Sequence, residues 1–278
     1  MAGFVSEERL TFGPWAAFER TVARLVQHSG FSDVNLVGGT GDHGADVVAV
    51  GSGQRWVLQA KYRGSGGVDA SGAAEAIHAS SQYGAGISVL VANTYFYQDA
   101  YRFQSDKRQH GFDLKLWDGA FLLKYYDQLP SASIARRELR EYQVKAIDAV
   151  ELKRGQGARN ALVIMATGLG KTVVATQLIA NEVRRNPGQE ILVLAHVTDL
   201  VRQLEIAAWP QLDKSCSTHL WTDGELPAYR GGVIFATWQS VFAAMERGDE
   251  DLKSRFGLVI VDEAHHAPSA AFARLLDH

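Results

Sequence analysis

At 278 residues, with 46% hydrophobic and 21% charged residues, the chain has the composition of an ordinary soluble protein and enough length for two domains. It lacks an apolar run long enough to span a bilayer, its start lacks the basic-then-apolar pattern of a secretory signal, and its single cysteine, Cys216, excludes internal disulfides and cysteine metal clusters and suits a reducing cytoplasm. A formal net charge of −3 offers no bulk attraction to nucleic acid, so any DNA contact needs a local basic patch or a metal-filled site.

Residues 11–29 read as a helix ending at Gly30, with Trp15, Phe18, Val22, Leu25 and Val26 on one stripe. Strands are expected over 47–50 and 55–60, joined by the hairpin signal Gly51-Ser52-Gly53. A helix follows over 70–83, a buried strand over 87–93, a helix over 98–110, a strand over 113–117 and a closing helix over 118–128. The cluster Pro130-Ser131-Ala132-Ser133 suits a linker, which gives a first domain over 1–130, a connection over 131–137 and a second domain over 138–278. Helix returns over 135–154, and apolar strands over 161–165, 191–195, 232–236 and 258–261 then alternate with helices. That alternation predicts a parallel sheet covered on both faces, and so an α/β chain of two domains.

The second domain holds a phosphate-binding pattern. Ala166-Thr167-Gly168-Leu169-Gly170-Lys171-Thr172 follows a predicted strand and opens a predicted helix over 171–182. Glycines there let backbone N–H groups turn inward as an anion nest, and the helix N-terminus adds positive potential. Lys171 would meet the β and γ phosphates of ATP, and the Thr172 hydroxyl would ligate Mg2+. Downstream, Asp262-Glu263-Ala264-His265-His266 follows the apolar run Leu258-Val259-Ile260-Val261. Asp262 would hold the same Mg2+, and Glu263 would position the attacking water. The alternative for each part is ordinary: a turn into a helix, or a helix N-cap.

Residues 138–278 resemble the first RecA-like lobe of the superfamily 2 helicases and translocases, in particular the DEAH-type motors of restriction enzymes. By this resemblance Gln143, in Leu139-Arg140-Glu141-Tyr142-Gln143, reads the adenine edge, and Thr167 to Thr172 bind the nucleotide. Leu194-Ala195-His196 and Ala236-Thr237-Trp238-Gln239-Ser240 resemble strand-contacting motifs, with Thr237 and Gln239 on the DNA backbone, and His265 couples the ATP site to DNA. Nothing resembles the Ser-Ala-Thr coupling motif or the second lobe with its arginine fingers. The chain is therefore expected to be a piece of a longer protein, with an incomplete lobe that hydrolyses ATP poorly by itself. Loss of an arginine finger costs on the order of 10³–10⁵ in rate.

The first domain carries Gly39-Thr40-Gly41-Asp42-His43-Gly44-Ala45-Asp46, then Gln59-Ala60-Lys61 across the hairpin. Side chains alternate along a strand, so Gln59 and Lys61 face one way and Ala60 the other. A carboxylate, an amide oxygen and an ammonium then converge at one sheet end. Such a set suits phosphodiester hydrolysis: hard Mg2+ takes oxygen ligands and activates a water, and Lys61 stabilises the charge that develops. Glu19 falls within the apolar stripe of the first helix, where an ionised carboxylate is costly unless a cation meets it; the alternative is that it reaches solvent. Asp42 and His43 read as turn residues. Tyr62-Arg63 and the loop Gly64-Ser65-Gly66-Gly67 contact the DNA backbone or remain a solvated loop.

This constellation resembles the Mrr-like branch of the PD-(D/E)xK nucleases, the type IV restriction endonuclease fold, over residues 12–125. The resemblance implies catalytic Asp46, Gln59 and Lys61, an auxiliary metal-site carboxylate at Glu19, and a further ligand from the Ala60 carbonyl. Gln59 stands where the general pattern has Glu, which removes a negative charge and weakens metal binding. The expected function is a Mg2+-dependent DNA endonuclease coupled to an ATP-driven translocase in restriction or anti-phage defence. Its partner would be double-stranded DNA, and a homodimer would cut both strands. Two other readings stay open: a non-cleaving DNA-sensing module on the motor, and a repair helicase with an accessory nuclease.

Overall fold

A computed structural model describes residues 3–37, 44–247 and 255–264. The chain forms two compact units, Ala2–Ala135 and Arg136–His278.

In the first unit a five-stranded sheet runs in the order β1 (Ser32–Leu36), β2 (Val47–Gly51), β3 (Gln54–Lys61), β4 (Ile87–Ala92) and β5 (Asp113–Trp117). The first three strands are antiparallel and the last three parallel, which makes the sheet mixed. The β2–β3 hairpin closes on Ser52 and Gly53, both at positive φ, as a two-residue turn between twisted strands requires. Strand β4 lies between two parallel neighbours and is buried along its whole length, so Ile87–Ala92 is an unbroken apolar run but for Ser88.

The helix expected over 11–29 is α2 (Trp15–His28), and a short helix α1 (Glu7–Phe12) precedes it. Gly13, at φ 68, and Pro14, which lacks an N–H, end one helix and begin the next. Phe18, Val22, Leu25 and Val26 are buried as the stripe requires, but Trp15 is 64% exposed, because the stripe is covered only from Phe18 onward. Helix α3 (Ala70–Gln82) is capped by the Asp69 carboxylate, which accepts from the Ser71 N–H. Its buried face is Gly72, Ala73, Ala76, Ala79 and Ser80. A Cβ at Gly72 would lie 2.7 Å from Val68 Cγ1, in the segment before α3, and 3.5 Å from Leu90 Cδ2 on β4, so a residue without a side chain is required there. Helices α4 (Gln98–Gln109) and α5 (Gly119–Gln128) complete the unit. The short polar edge strand β1 has no apolar alternation and is absent from the sequence reading. The Pro130–Ser133 stretch folds back onto α2: His28 Nε2 lies 3.0 Å from the Pro130 carbonyl, and the Ile134 N–H donates to His28 O.

In the second unit a four-stranded parallel sheet runs β7 (Thr218–Trp221), β8 (Val233–Thr237), β6 (Glu190–Ala195) and β9 (Phe256–Val261). Helices α7 (Lys171–Arg185) and α8 (Thr198–Ala208) cover one face with Ile179, Val201 and Leu204 packed on Ile191, Val193 and Phe235. Helix α9 (Trp238–Glu246) covers the other, with Val241 and Ala244 against Leu192, Leu194 and Ile234. Each buried Val, Leu, Ile or Phe among them contributes about 1.5–3 kcal/mol. Alternate residues of β6 therefore serve opposite layers, as a two-sided parallel sheet demands.

Two expectations are corrected here. Helix α6 spans Glu141–Gly155, so the helix expected from 135 starts later, at Arg140 as N-cap. Residues 161–165 form no strand: Leu162 is 77% and Ile164 84% exposed. A short apolar run becomes a strand only where a sheet edge takes up its backbone bonds, and no ladder forms here. The short strand β7, Thr-His-Leu-Trp, was not anticipated.

Candidate nuclease and nucleotide sites

The antiparallel register pairs Val47 with Leu58 and sets Asp46 beside the end of β3. The Asp46 carboxylate accepts from the Ala60 N–H at 2.6 Å. One bond thus fixes the acid against the peptide that lies between Gln59 and Lys61. Those two side chains point the same way. Gln59 Nε2 donates to Glu75 Oε2 at 3.1 Å, and Lys61 Nζ reaches the same oxygen at 2.5 Å. Glu75 is on α3, one residue before the buried Ala76, so the close approach of that helix brings its carboxylate to the strand end. The hydrogen bond from Lys61 holds the Glu75 carboxyl below the usual carboxylate range, against the opposing effect of burial.

Gln59 is buried, at 3% exposure, and its Oε1 has no hydrogen-bond partner. Such an atom costs about 1–3 kcal/mol unless something meets it. Oxygen donors are what a hard divalent cation takes, and Asp46, Gln59 Oε1 and the Ala60 carbonyl provide them. The chemistry of these donors therefore fits a hard divalent cation. Among the described residues no three His, Cys, Asp or Glu side chains cluster as a metal site, so the set depends on the amide oxygen.

Glu19 is half-buried on α2 and has electrostatic or hydrogen-bonding partners of its own. Its neighbour Phe18 packs edge-on against Tyr62, next to Lys61, with ring centroids 6.0 Å apart. The Tyr62 hydroxyl donates to Thr11 O at 2.8 Å, and burial raises its pKa. Asn93, at the end of β4, accepts from the Arg63 N–H at 2.7 Å and donates to Arg63 O and Leu10 O. The chain leaving the Lys61 strand is thus anchored by its backbone, and Arg63 keeps its side chain exposed. Residues 39–43, with Asp42 and His43, lie outside the described residues, as do His265 and His266.

Sequence reasoning missed Glu75. Only its i, i+1 relation to the small-residue face of α3 could have signalled it, and that needs the register of the helix on β3.

In the second unit Gly170 is the N-cap of α7, in the left-handed region at φ 80 and ψ 46. A Cβ there would lie 2.6 Å from Gln143 Nε2. The Gln143 amide donates to Leu169 O at 3.0 Å and accepts from the Arg140 N–H at 3.0 Å. It therefore braces the loop from α6, and reading a base edge would require one of those bonds to be exchanged. Thr167, Gly168 and Leu169 are exposed, with Gly168 also at φ 80, while Lys171 and Thr172 form the first turn of α7. Lys171 Nζ lies 3.3 Å from Glu263 Oε1, and the Asp262 N–H donates to Leu194 O at 2.9 Å. The start of α7, just after the glycine loop, thus meets the Glu263 carboxylate that follows β9. Gln239 Nε2 donates to His196 O at 3.0 Å, and Thr237 caps α9, so the two strand-end segments are tied together.

Two family models match this chain. Residues 136–278 match the family described as Type III restriction enzyme, res subunit, and residues 13–126 match the Mrr catalytic family described as Restriction endonuclease. A Saccharomyces cerevisiae protein named as an ATP-dependent helicase, IRC3, is 32% identical over 151 residues, covering 50% of this chain and 21% of its own length. The DEAD-box ATP-dependent DNA helicase Fancm of Drosophila melanogaster is 32% identical over 139 residues, covering 46% of this chain and 9% of its own. This chain thus spans about a fifth or less of the length of these relatives. A solved structure of the ATP-dependent Type ISP restriction-modification enzyme LlaBIII bound to DNA aligns at a TM-score of 0.40 and 18% identity, covering 93% of this chain and 20% of that one. No helix among the described residues is long and apolar enough to cross a membrane.

Proposed function

Since the chain belongs to the Type III restriction enzyme res-subunit family, we propose that it processes DNA with two engines: a Mg2+-dependent endonuclease in Ala2–Ala135 and an ATP-binding translocase lobe in Arg136–His278. One observation carries the nuclease reading. Asp46 accepts from the N–H of Ala60, the residue between Gln59 and Lys61, and the buried Gln59 oxygen lacks a hydrogen-bond partner. Mg2+ held by Asp46, Gln59 Oε1 and the Ala60 carbonyl, with Glu19 as an outer carboxylate, would lower the pKa of a bound water and neutralise the phosphodiester. Lys61 supplies a fixed positive charge beside the scissile phosphate, and Asp46 orients the strand that carries it.

In the second unit Thr167 to Gly170 would wrap the triphosphate of ATP. Lys171 would exchange its bond with Glu263 for the phosphates, Thr172 and Asp262 would hold Mg2+, and Glu263, once released, would align water. Double-stranded DNA is the proposed substrate, and restriction or anti-phage defence in the cytoplasm the proposed role.

A Mg2+-dependent plasmid-cleavage assay tests this reading. Wild type is expected to cut, while Asp46→Ala and Lys61→Ala lose activity by two or more orders of magnitude; full-rate cutting by Lys61→Ala would sink the assignment. A second reading, a non-cleaving DNA-binding module, is favoured by the lack of a three-carboxylate cluster among the described residues. It predicts DNA binding with no cleavage by any of the three proteins.

A further inference from the structure

We infer that Glu75 is a positioning residue of the nuclease centre, one that turns the Gln59 carboxamide so that its oxygen, and not its nitrogen, faces the metal position. The inference rests on the nuclease reading above and explains how a carboxamide can serve there at all.

A carboxylate in the Gln59 position would present oxygen whichever way it rotated. A carboxamide has one oxygen and one NH2, and turning it over would aim N–H donors at a cation. Something must therefore choose. The side chain is buried, so solvent does not choose for it. The Nε2 end faces two neighbours: Glu75 Oε2 at 3.1 Å, and the backbone of Gly44, where an added Cβ would sit 3.2 Å from the nitrogen. An ionised carboxylate only accepts hydrogen bonds, so it pairs with the NH2 end and repels the oxygen end. The orientation is thus dictated by chemistry, even though the two ends of an amide are nearly alike in shape. Its consequence is the oxygen left without a protein partner. The same Glu75 oxygen takes the Lys61 ammonium, which keeps that cation aligned with Gln59 and off the metal ligands.

Glu75 is exposed on α3, and alanine is a good helix former there, so Glu75→Ala is expected to fold. The test is Mn2+ binding by the full chain, followed by calorimetry or by the Mn2+ spin signal, in a double-mutant cycle with Gln59→Glu. In the native background Glu75→Ala should weaken Mn2+ binding by about tenfold, as loss of a group that orients a metal ligand commonly does. In the Gln59→Glu background the same change should cost several-fold less, because a carboxylate needs no orienting and is relieved of a like charge. An unchanged affinity in the native background overturns the inference. So does an equal loss in both backgrounds, which is what a plain charge effect, direct ligation by Glu75 or a folding defect would give. A separate arm uses Asp46→Ala. If that variant binds Mn2+ as wild type does, the reading of the centre itself fails and takes the role of Glu75 with it, and that result does not involve residue 75.

Discussion

Gln59→Glu puts a second negative charge at the strand end, close to Glu75 Oε2. Metal binding should tighten, since hard cations favour carboxylates over amides. Without metal the two carboxylates repel, at a cost of about 0.5–1 kcal/mol because Glu75 has a half-exposed side chain. The variant should therefore melt below wild type in chelator and recover the difference when Mg2+ is added. Equal melting in both conditions would argue that no cation binds beside Gln59. That Gln59 and Lys61 share a face was legible in the sequence, because side chains alternate along a strand, and both reach Glu75 Oε2. Glu75 was not, because a Glu on a helix carries no mark of which strand it will meet. The role of Gln143 was partly hidden for the same reason. Its position before the loop was readable, but its two backbone bonds belong to the packing of α6 on the Gly170 turn.

Among the secondary-structure elements, helix α7 shows how a nucleotide loop is held at both ends. Gly170 starts it, and at its far end Glu182, buried at 1% exposure, takes Arg154 from α6 at 2.5 Å together with Arg185 and Asn186. Burial pushes the Glu182 carboxyl up, but the bonds from Arg154 and Asn186 and the nearby cations outweigh it and hold the group below its ordinary value. A depressed folded pKa contributes stability that is present above the unfolded value, near pH 4, and lost as pH falls through the folded one. Glu182→Gln should thus cost about 1–3 kcal/mol at pH 7, an amount limited because Arg154 and Arg185 stay partly solvated. The gap to wild type should shrink in melts at pH 3, and a gap of the same size at both pH values would refute the linkage. Elements with a helical period or an unbroken apolar run were readable: α3, α5 and the apolar strands β4 and β6. The misreadings fall where local signal and tertiary partner diverge. Gly13-Pro14 makes α2 start later than expected, β1 is too polar to announce itself, and 161–165 is apolar without a strand to pair with.

On the scale of the whole chain, each site draws its described residues from one unit. Asp46, Gln59, Lys61 and Glu75 belong to Ala2–Ala135, and Gln143, Gly170, Lys171, Asp262 and Glu263 to Arg136–His278. Energetic effects at sites with no shared partners add to within about 0.3–0.5 kcal/mol. Lys171→Ala should therefore weaken ATP binding, because the phosphates lose their one charged contact in the loop, while leaving Mn2+ binding at the nuclease centre as it is. Asp46→Ala should do the reverse. The double variant should show the two losses side by side, with no interaction energy beyond that limit. Titrating each variant with ATP at fixed Mn2+, and with Mn2+ at fixed ATP, measures the coupling directly. A coupling of about 1.4 kcal/mol or more, which is a tenfold change in one affinity on loading the other site, would mean that nucleotide and nuclease metal share a two-state element and that the ATP site gates the nuclease through equilibrium binding.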